Sequence, residues 1–188
     1  MRQVRAFLAI PLPEARRRQL AQLQRELSTV LPRVRWSAPE TIHLTLRFFG
    51  DVPEESLEKI TEVVLSVGRS FAPFQADLKG VGAFPSPTRA RVIWLGVTGA
   101  PSLSQLHAAL DEALGQAGWT GEERSFSPHL TLGRARERLA LQPHLLERYR
   151  DADCGPLPVE QLVLYESRLR PTGAIHLPLA TIPLGTGP

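Results

Sequence analysis

The sequence predicts an α+β fold, and three observations carry that reading. Short apolar runs of strand character are interleaved with amphipathic segments at helical spacing. Their order is strand, helix, strand, helix, strand, strand, helix, strand, helix, strand, strand, which lacks the regular alternation of a doubly wound sheet. The tetrapeptide His43-Leu44-Thr45-Leu46 is written a second time at His129-Leu130-Thr131-Leu132, 86 residues later in a chain of 188. The repeat suggests two halves related by an approximate two-fold.

Val4 to Ile10 is a buried strand closed by Pro11. From Pro13 to Leu31 the leucines 20, 23 and 27 with Val30 recur at helical spacing, and Arg16-Arg17-Arg18 near the start of this helix reads as solvated surface. Ile42 to Phe49 is the first motif strand. Strict alternation puts His43, Thr45, Arg47 and Phe49 on one face and Leu44, Leu46 and Phe48 on the core face. Gly50 ends the strand, and Asp51 with Glu54 reads as a capping box for a helix over 53–68. Strands over 74–82 and 91–97 are joined by Phe84-Pro85-Ser86-Pro87-Thr88-Arg89, too proline-rich to be regular. A second long helix covers 102–118, with His107 beside its leucine stripe in a structural role. The second motif strand spans 126–134, a short helix 141–149 leaves His144 on the surface, and closing strands run over 159–167 and 175–182. His176 has no partner motif and stays outside the predicted site.

In each motif strand the His and Thr share a face while the two Leu point into the core. Two such strands facing one cleft would line it with two imidazoles and two hydroxyls. Histidine accepts or donates a proton near neutral pH, so one ring can deprotonate an attacking water while the other protonates the departing oxygen. The Thr hydroxyls can donate to oxygens that carry charge during the reaction. In-line attack at phosphorus, with entering and leaving oxygens on opposite sides, suits two histidines across a cleft. Phosphodiester hydrolysis without a metal or other cofactor is the chemistry predicted, since Thr is a poor ligand and neither motif carries a carboxylate.

The paired motifs resemble those of the two-histidine phosphoesterase superfamily. The flanking residues narrow the resemblance to the RNA 2',3'-cyclic phosphodiesterases, also named 2'-5' RNA ligases. They are Val4 to Ile10, Val34-Arg35-Trp36, Thr41 to Gly50, Gly82-Ala83-Phe84-Pro85, Val92 to Gly96, Ser127 to Arg134 and Leu164-Tyr165-Glu166-Ser167, so nearly the whole chain is covered. The resemblance implies two pseudo-symmetric lobes, each an antiparallel sheet with helices outside and the cleft between them, within one domain over 1–188. It implies His129 as the general base that activates water and His43 as the general acid that protonates the leaving 3' oxygen, opening a 2',3'-cyclic phosphate to a 2'-phosphate. Thr45 and Thr131 would hold non-bridging oxygens. An Arg at the place of Arg134 contacts the substrate phosphate in that family. Alternation turns Arg134 away from the motif face, unless Gly133 permits a bulge or bend that re-aims it. Arg47, favoured by alternation, is the competing candidate.

Composition bounds the reading. The hydrophobic fraction of 43% supplies a globular interior, and no apolar run approaches the ~20 residues of a membrane helix. The basic start leads into a strand without a small-residue cleavage site, so a soluble, cytoplasmic protein is expected. The lone Cys154 excludes an internal disulfide framework. Basic charge is carried by 20 Arg against 2 Lys, which suits nucleic-acid ends, but GC-rich coding or a thermophile's avoidance of labile side chains, Asn being absent, accounts better for the excess. The expected partners are RNA ends or nucleotides bearing a 2',3'-cyclic phosphate, tRNA halves among them, met by a monomer. Two alternatives stand beside hydrolysis: ATP-independent 2'-5' ligation of cleaved tRNA halves, and a nucleotide- or RNA-binding module without turnover.

Overall fold

The computed structural model describes residues 2–121, 125–171 and 173–185. Among the described residues, nine strands and four α-helices follow one another as β1 (Gln3–Pro11), α1 (Glu14–Val30), β2 (Val34–Trp36), β3 (His43–Pro53), α2 (Ser56–Gly68), β4 (Phe74–Phe84), β5 (Ala90–Thr98), α3 (Pro101–Gln116), β6 (His129–Leu139), α4 (Pro143–Arg148), β7 (Asp153–Val159), β8 (Gln161–Arg170) and β9 (Gly173–Pro183). They build two antiparallel sheets, β3-β1-β8-β9 and β2-β6-β5-β4-β7. The fold is α+β with two lobes.

The two sheets repeat one plan. Each motif strand lies beside the strand that precedes its helix: β3 pairs with β1, and β6 pairs with β5. Beyond these, β8 and β9 match β4 and β7 in position. β2 is the addition with no counterpart in the first sheet, a three-residue strand paired with the outer side of β6.

The helices are exchanged between the lobes. α1 leaves β1 of the first sheet, yet Gln24 bonds β6, and Arg16 donates to the carbonyl of Cys154 on β7 at 2.7 Å. α3 leaves β5 of the second sheet, yet its Asp111 pairs with Arg47 of β3. α2 packs against α3 and β9. Leu20, Leu27, Ile60, Leu106 and Leu110 sit in one hydrophobic cluster with Leu44 and Leu130 from the two motif strands.

Several elements differ from the sequence reading. Asp51 and Val52 stay extended because they pair with Arg5 and Val4, so the proposed capping box does not form and α2 begins at Ser56 after an uncapped Glu55. β7 is a strand despite Pro156 and Pro158, because it lies at a sheet edge, where a missing N–H costs no ladder bond. Of the arginine triplet, Arg16 and Arg17 are half-buried and only Arg18 is exposed. Cys154 is buried, and its thiol is pushed up to about 11 by burial first and then by Asp153, so it carries no thiolate near neutral pH. No helix among the described residues is long and apolar enough to cross a membrane.

Candidate active site

The strands bearing the repeated tetrapeptide meet: β3 and β6 pack against each other across the lobe boundary. In both, the His and Thr are half-buried on one face, and the leucines are buried on the other, Leu44, Leu130 and Leu132 fully and Leu46 at 4% exposure. His43, Thr45, His129 and Thr131 therefore occupy equivalent places on two adjoining strands.

Each strand then carries a β-bulge at the last residue of its tetrapeptide. On β3, Ala9 faces Thr45 while Leu8 faces Arg47, which leaves Leu46 without an opposite number. On β6, Trp94 faces Thr131 while Ile93 faces Gly133, which leaves Leu132 without one. A bulge adds one residue to the count and reverses alternation beyond it. Burial follows suit, with Arg47 and Gly133 buried and Phe48 and Arg134 exposed. Arg134 thus returns to the His129 and Thr131 face, as the resemblance requires. Arg47 leaves that face, contrary to its reading as a cleft residue. It is 7% exposed, pairs with Asp111 and donates to the Trp119 carbonyl at 2.5 Å, so its charge is used in holding α3. Phe48, expected in the core, is 54% exposed, with its ring 5.7 Å from that of Phe7.

The bulged carbonyls face helix side chains. The Leu132 carbonyl accepts from Ser37 N–H and from the buried amide of Gln24 on α1 at 2.9 Å, and the same Gln24 nitrogen donates to the Ser37 carbonyl at 2.8 Å. At the equivalent place on α3 the His107 ring lies by the Leu46 carbonyl, which favours its protonated form against the larger effect of burial, and the ring stacks on Phe126 with centroids 3.9 Å apart. The two motif histidines are likewise held alike. His129 Nδ1 lies 2.6 Å from the Ser127 carbonyl, and the Thr41 carbonyl lies by the His43 ring and favours its protonated form, in each case two residues upstream. For His129, a carbonyl at Nδ1 fixes the proton there and leaves Nε2 as the free acceptor.

The surroundings of the rings differ. His43 stacks on Phe7 at 4.7 Å and meets His176 edge-on at 4.9 Å, with Tyr165 at 5.9 Å. Burial first, and then the charge of His176, lowers its pKa to about 4, against a smaller upward effect of the Thr41 bond. Burial lowers that of His176 and raises that of Tyr165. His129 meets Phe84 edge-on at 4.9 Å and Trp94 at 6.5 Å. Trp94 in turn lies over Gly82, where any Cβ would strike the indole. The start of the proline-rich connection thus borders the site.

His176 is the residue that the sequence reading leaves out. It sits on β9, whose register carries it opposite Ser167, with Glu166 opposite Leu177 and Tyr165 opposite Pro178. No local pattern marks it, since it comes to His43 only through the sheet order β3-β1-β8-β9.

Two antiparallel lobes, each presenting a His-x-Thr strand at their junction, define the class as a two-lobed phosphoesterase. The chain belongs to the 2'-5' RNA ligase superfamily, whose model matches residues 38–170. It is 37% identical over 178 residues to the RNA 2',3'-cyclic phosphodiesterase of Methanothermobacter thermautotrophicus, covering 92% of this chain and 95% of that one. To the RNA 2',3'-cyclic phosphodiesterase of Thermus thermophilus it is 33% identical over 184 residues, covering 92% and 86%. The crystal structure of E. coli LigT complexed with 3'-AMP superposes with a TM-score of 0.80 at 27% identity, covering 98% of this chain and 100% of that one.

Proposed function

We propose that this protein hydrolyses RNA 2',3'-cyclic phosphate ends to 2'-phosphates, with no metal in the reaction. The observation that carries the reading is the doubled His-x-Thr strand with a matching bulge in each lobe, which gives two oriented imidazoles and two hydroxyls on adjoining strands. The names of the curated relatives support the substrate class. His129, with Nε2 free to accept, takes the proton of the attacking water, and the 3' oxygen leaves with a proton from His43. Thr45 and Thr131 donate to the non-bridging oxygens, and Arg134 supplies the guanidinium that balances their charge.

His43 is neutral at pH 7 in its aromatic pocket. Its acid role therefore depends on the substrate. A phosphodiester anion against the ring stabilises the imidazolium, raising the pKa at the moment a proton is needed. The reading further takes the protein as a cytoplasmic monomer acting on RNA ends or nucleotides, tRNA halves among them, through one catalytic unit spanning residues 1–188.

The test is hydrolysis of a short oligonucleotide ending in a 2',3'-cyclic phosphate, with excess EDTA, by the unmodified protein and by His43→Ala and His129→Ala. The expected result is a 2'-phosphate product that forms despite EDTA and falls ~10²–10⁴-fold in each variant. Turnover abolished by EDTA, or retained in either variant, would overturn the mechanism. The superfamily's name keeps a second reading in play, ATP-independent 2'-5' joining by the same histidines. Joined product from cleaved tRNA halves without ATP would favour it. Nucleotide binding with no turnover of either kind would leave a binding module.

A further inference from the structure

Beyond Arg134, sheet β2-β6-β5-β4-β7 presents a row of arginines that the proposed reaction does not use. Arg35 on β2 is directly opposite Arg134 on β6, so the two side chains share a face. Both are exposed, as is Arg136 two residues along β6, while the intervening Ala135 and the Val34 opposite it are buried. Alternation puts Arg35 and Arg134 on the face that carries His129 and Thr131 before the bulge, and Arg136 follows them, exposed, where β6 slips out of register with β5 between Arg134 and Leu139. Among the described residues, none of these three arginines is in an ion pair.

Like charges directly opposite across a strand pair are destabilising, so folding alone does not favour Arg35 against Arg134. An anion bridging them turns the repulsion into recognition. Along β6 the spacing of Arg134 and Arg136 is two residues, ~6.6 Å of strand, which is of the order of one step between phosphates in a nucleotide chain. The row leads away from His129 along the strand, so a chain whose cyclic end sits at the histidines can lay its upstream phosphates on it.

We infer that Arg35 and Arg136, continuing from Arg134, form a track for the phosphodiester backbone upstream of the cyclic end, so that the protein prefers an RNA chain to a cyclic mononucleotide. The inference rests on the proposed hydrolysis but makes a separate demand. A mononucleotide has no upstream phosphate, and only chain-length preference depends on the track.

The experiment compares kcat/KM for adenosine 2',3'-cyclic phosphate and for a four-nucleotide RNA ending in a 2',3'-cyclic phosphate, at low and high salt. The unmodified protein and an Arg35→Gln, Arg136→Gln double variant are measured side by side. The oligonucleotide is expected to be preferred at least tenfold at low salt, with the preference shrinking as salt rises. In the variant most of that preference is lost and the mononucleotide rate is unchanged. The log–log salt dependence for the oligonucleotide should flatten by about 0.7 for each phosphate contact removed. Equal rates on the two substrates, or an equal loss on both in the variant, would overturn the track while leaving the hydrolase reading intact. If the unmodified protein turns over neither substrate, the hydrolase reading falls. Fluorescence anisotropy with the same oligonucleotide ending in a 2'-phosphate then decides the track. Salt-sensitive binding that the double variant loses supports it, and binding unaffected by the substitutions, or no binding, rejects it.

Discussion

At the scale of single residues, the neighbours of His43 set its behaviour. Phe7, Tyr165 and His176 take its ring out of water and hold its pKa near 4, against an ordinary 6.5. As pH falls through that interval the unfolded chain binds a proton that the folded chain does not. The contribution of His43 to stability is thus fully present above pH 6.5 and lost as pH falls toward 4. A gap of two to three units at 1.36 kcal/mol each makes it roughly 3 kcal/mol. Urea unfolding at pH 7.5, 5.5 and 4.5 should show this loss in the unmodified protein and a shallower one in His43→Gln, with parallel curves as the contrary result. The same ring offers a test of the acid role. Saturating 2'-AMP should move the His43 titration, followed by NMR, upward from about 4 toward neutrality; a midpoint that stays put would pass the acid role to His129. His43 itself is legible in the sequence as half of a repeated motif. His176 is not, because its proximity arises from a neighbouring strand far along the chain.

At the scale of elements, the two bulges decide which residues face the junction. Alternation predicts the faces of His43 through Leu46 and of His129 through Leu132, then fails one residue later in both strands. A bulge leaves no compositional mark on Leu46 or Leu132, which look like any core leucine. Gly133 is a partial signal, since a Cβ there would lie 2.6 Å from Val34 and 3.0 Å from the Arg35 carbonyl. Among the described residues β3 is a sheet edge with no strand at that position, so it has room for Arg47 where β6 does not. The bulge on β6 is held by Gln24, a buried amide serving two carbonyls. Gln24→Leu keeps the volume and removes the donors, leaving one carbonyl unpaired and the other with one partner fewer. Such a loss costs about 1–3 kcal/mol, so Tm should fall by ~3–10 °C by calorimetry. Because Thr131 and Arg134 flank the bulge, kcat on the cyclic-ended oligonucleotide should fall as well, beyond any loss at neutral sites of similar stability cost. An unchanged kcat in a destabilised variant would reduce Gln24 to a purely structural role.

At the scale of the whole molecule, the exchange of helices makes the lobes interdependent, and this is where the duplicated pattern of the sequence falls short. The repeat predicts two similar halves, and the strands do divide that way, but nothing in the leucine stripes of α1 and α3 says which sheet each will cover. α1 buries Leu20 and Leu27 with its Gln24 on β6, while α3 brings Asp111 to β3. Neither sheet retains its cover if the other lobe unfolds, so we expect one cooperative transition rather than two. Trp94 reports on the second sheet, and Trp119, whose carbonyl accepts from Arg47, reports on the first. Variants in which Trp94 or Trp119 is the one tryptophan kept of the chain's three, Trp36 being replaced in both, should give coincident urea unfolding curves. Leu20→Ala, on the helix that leaves one sheet to cover the other, should shift both curves together by about 2–5 kcal/mol. Separate midpoints, or a shift confined to the Trp94 signal, would mean that each lobe holds itself together and that the junction between the histidines is a joint between independent bodies.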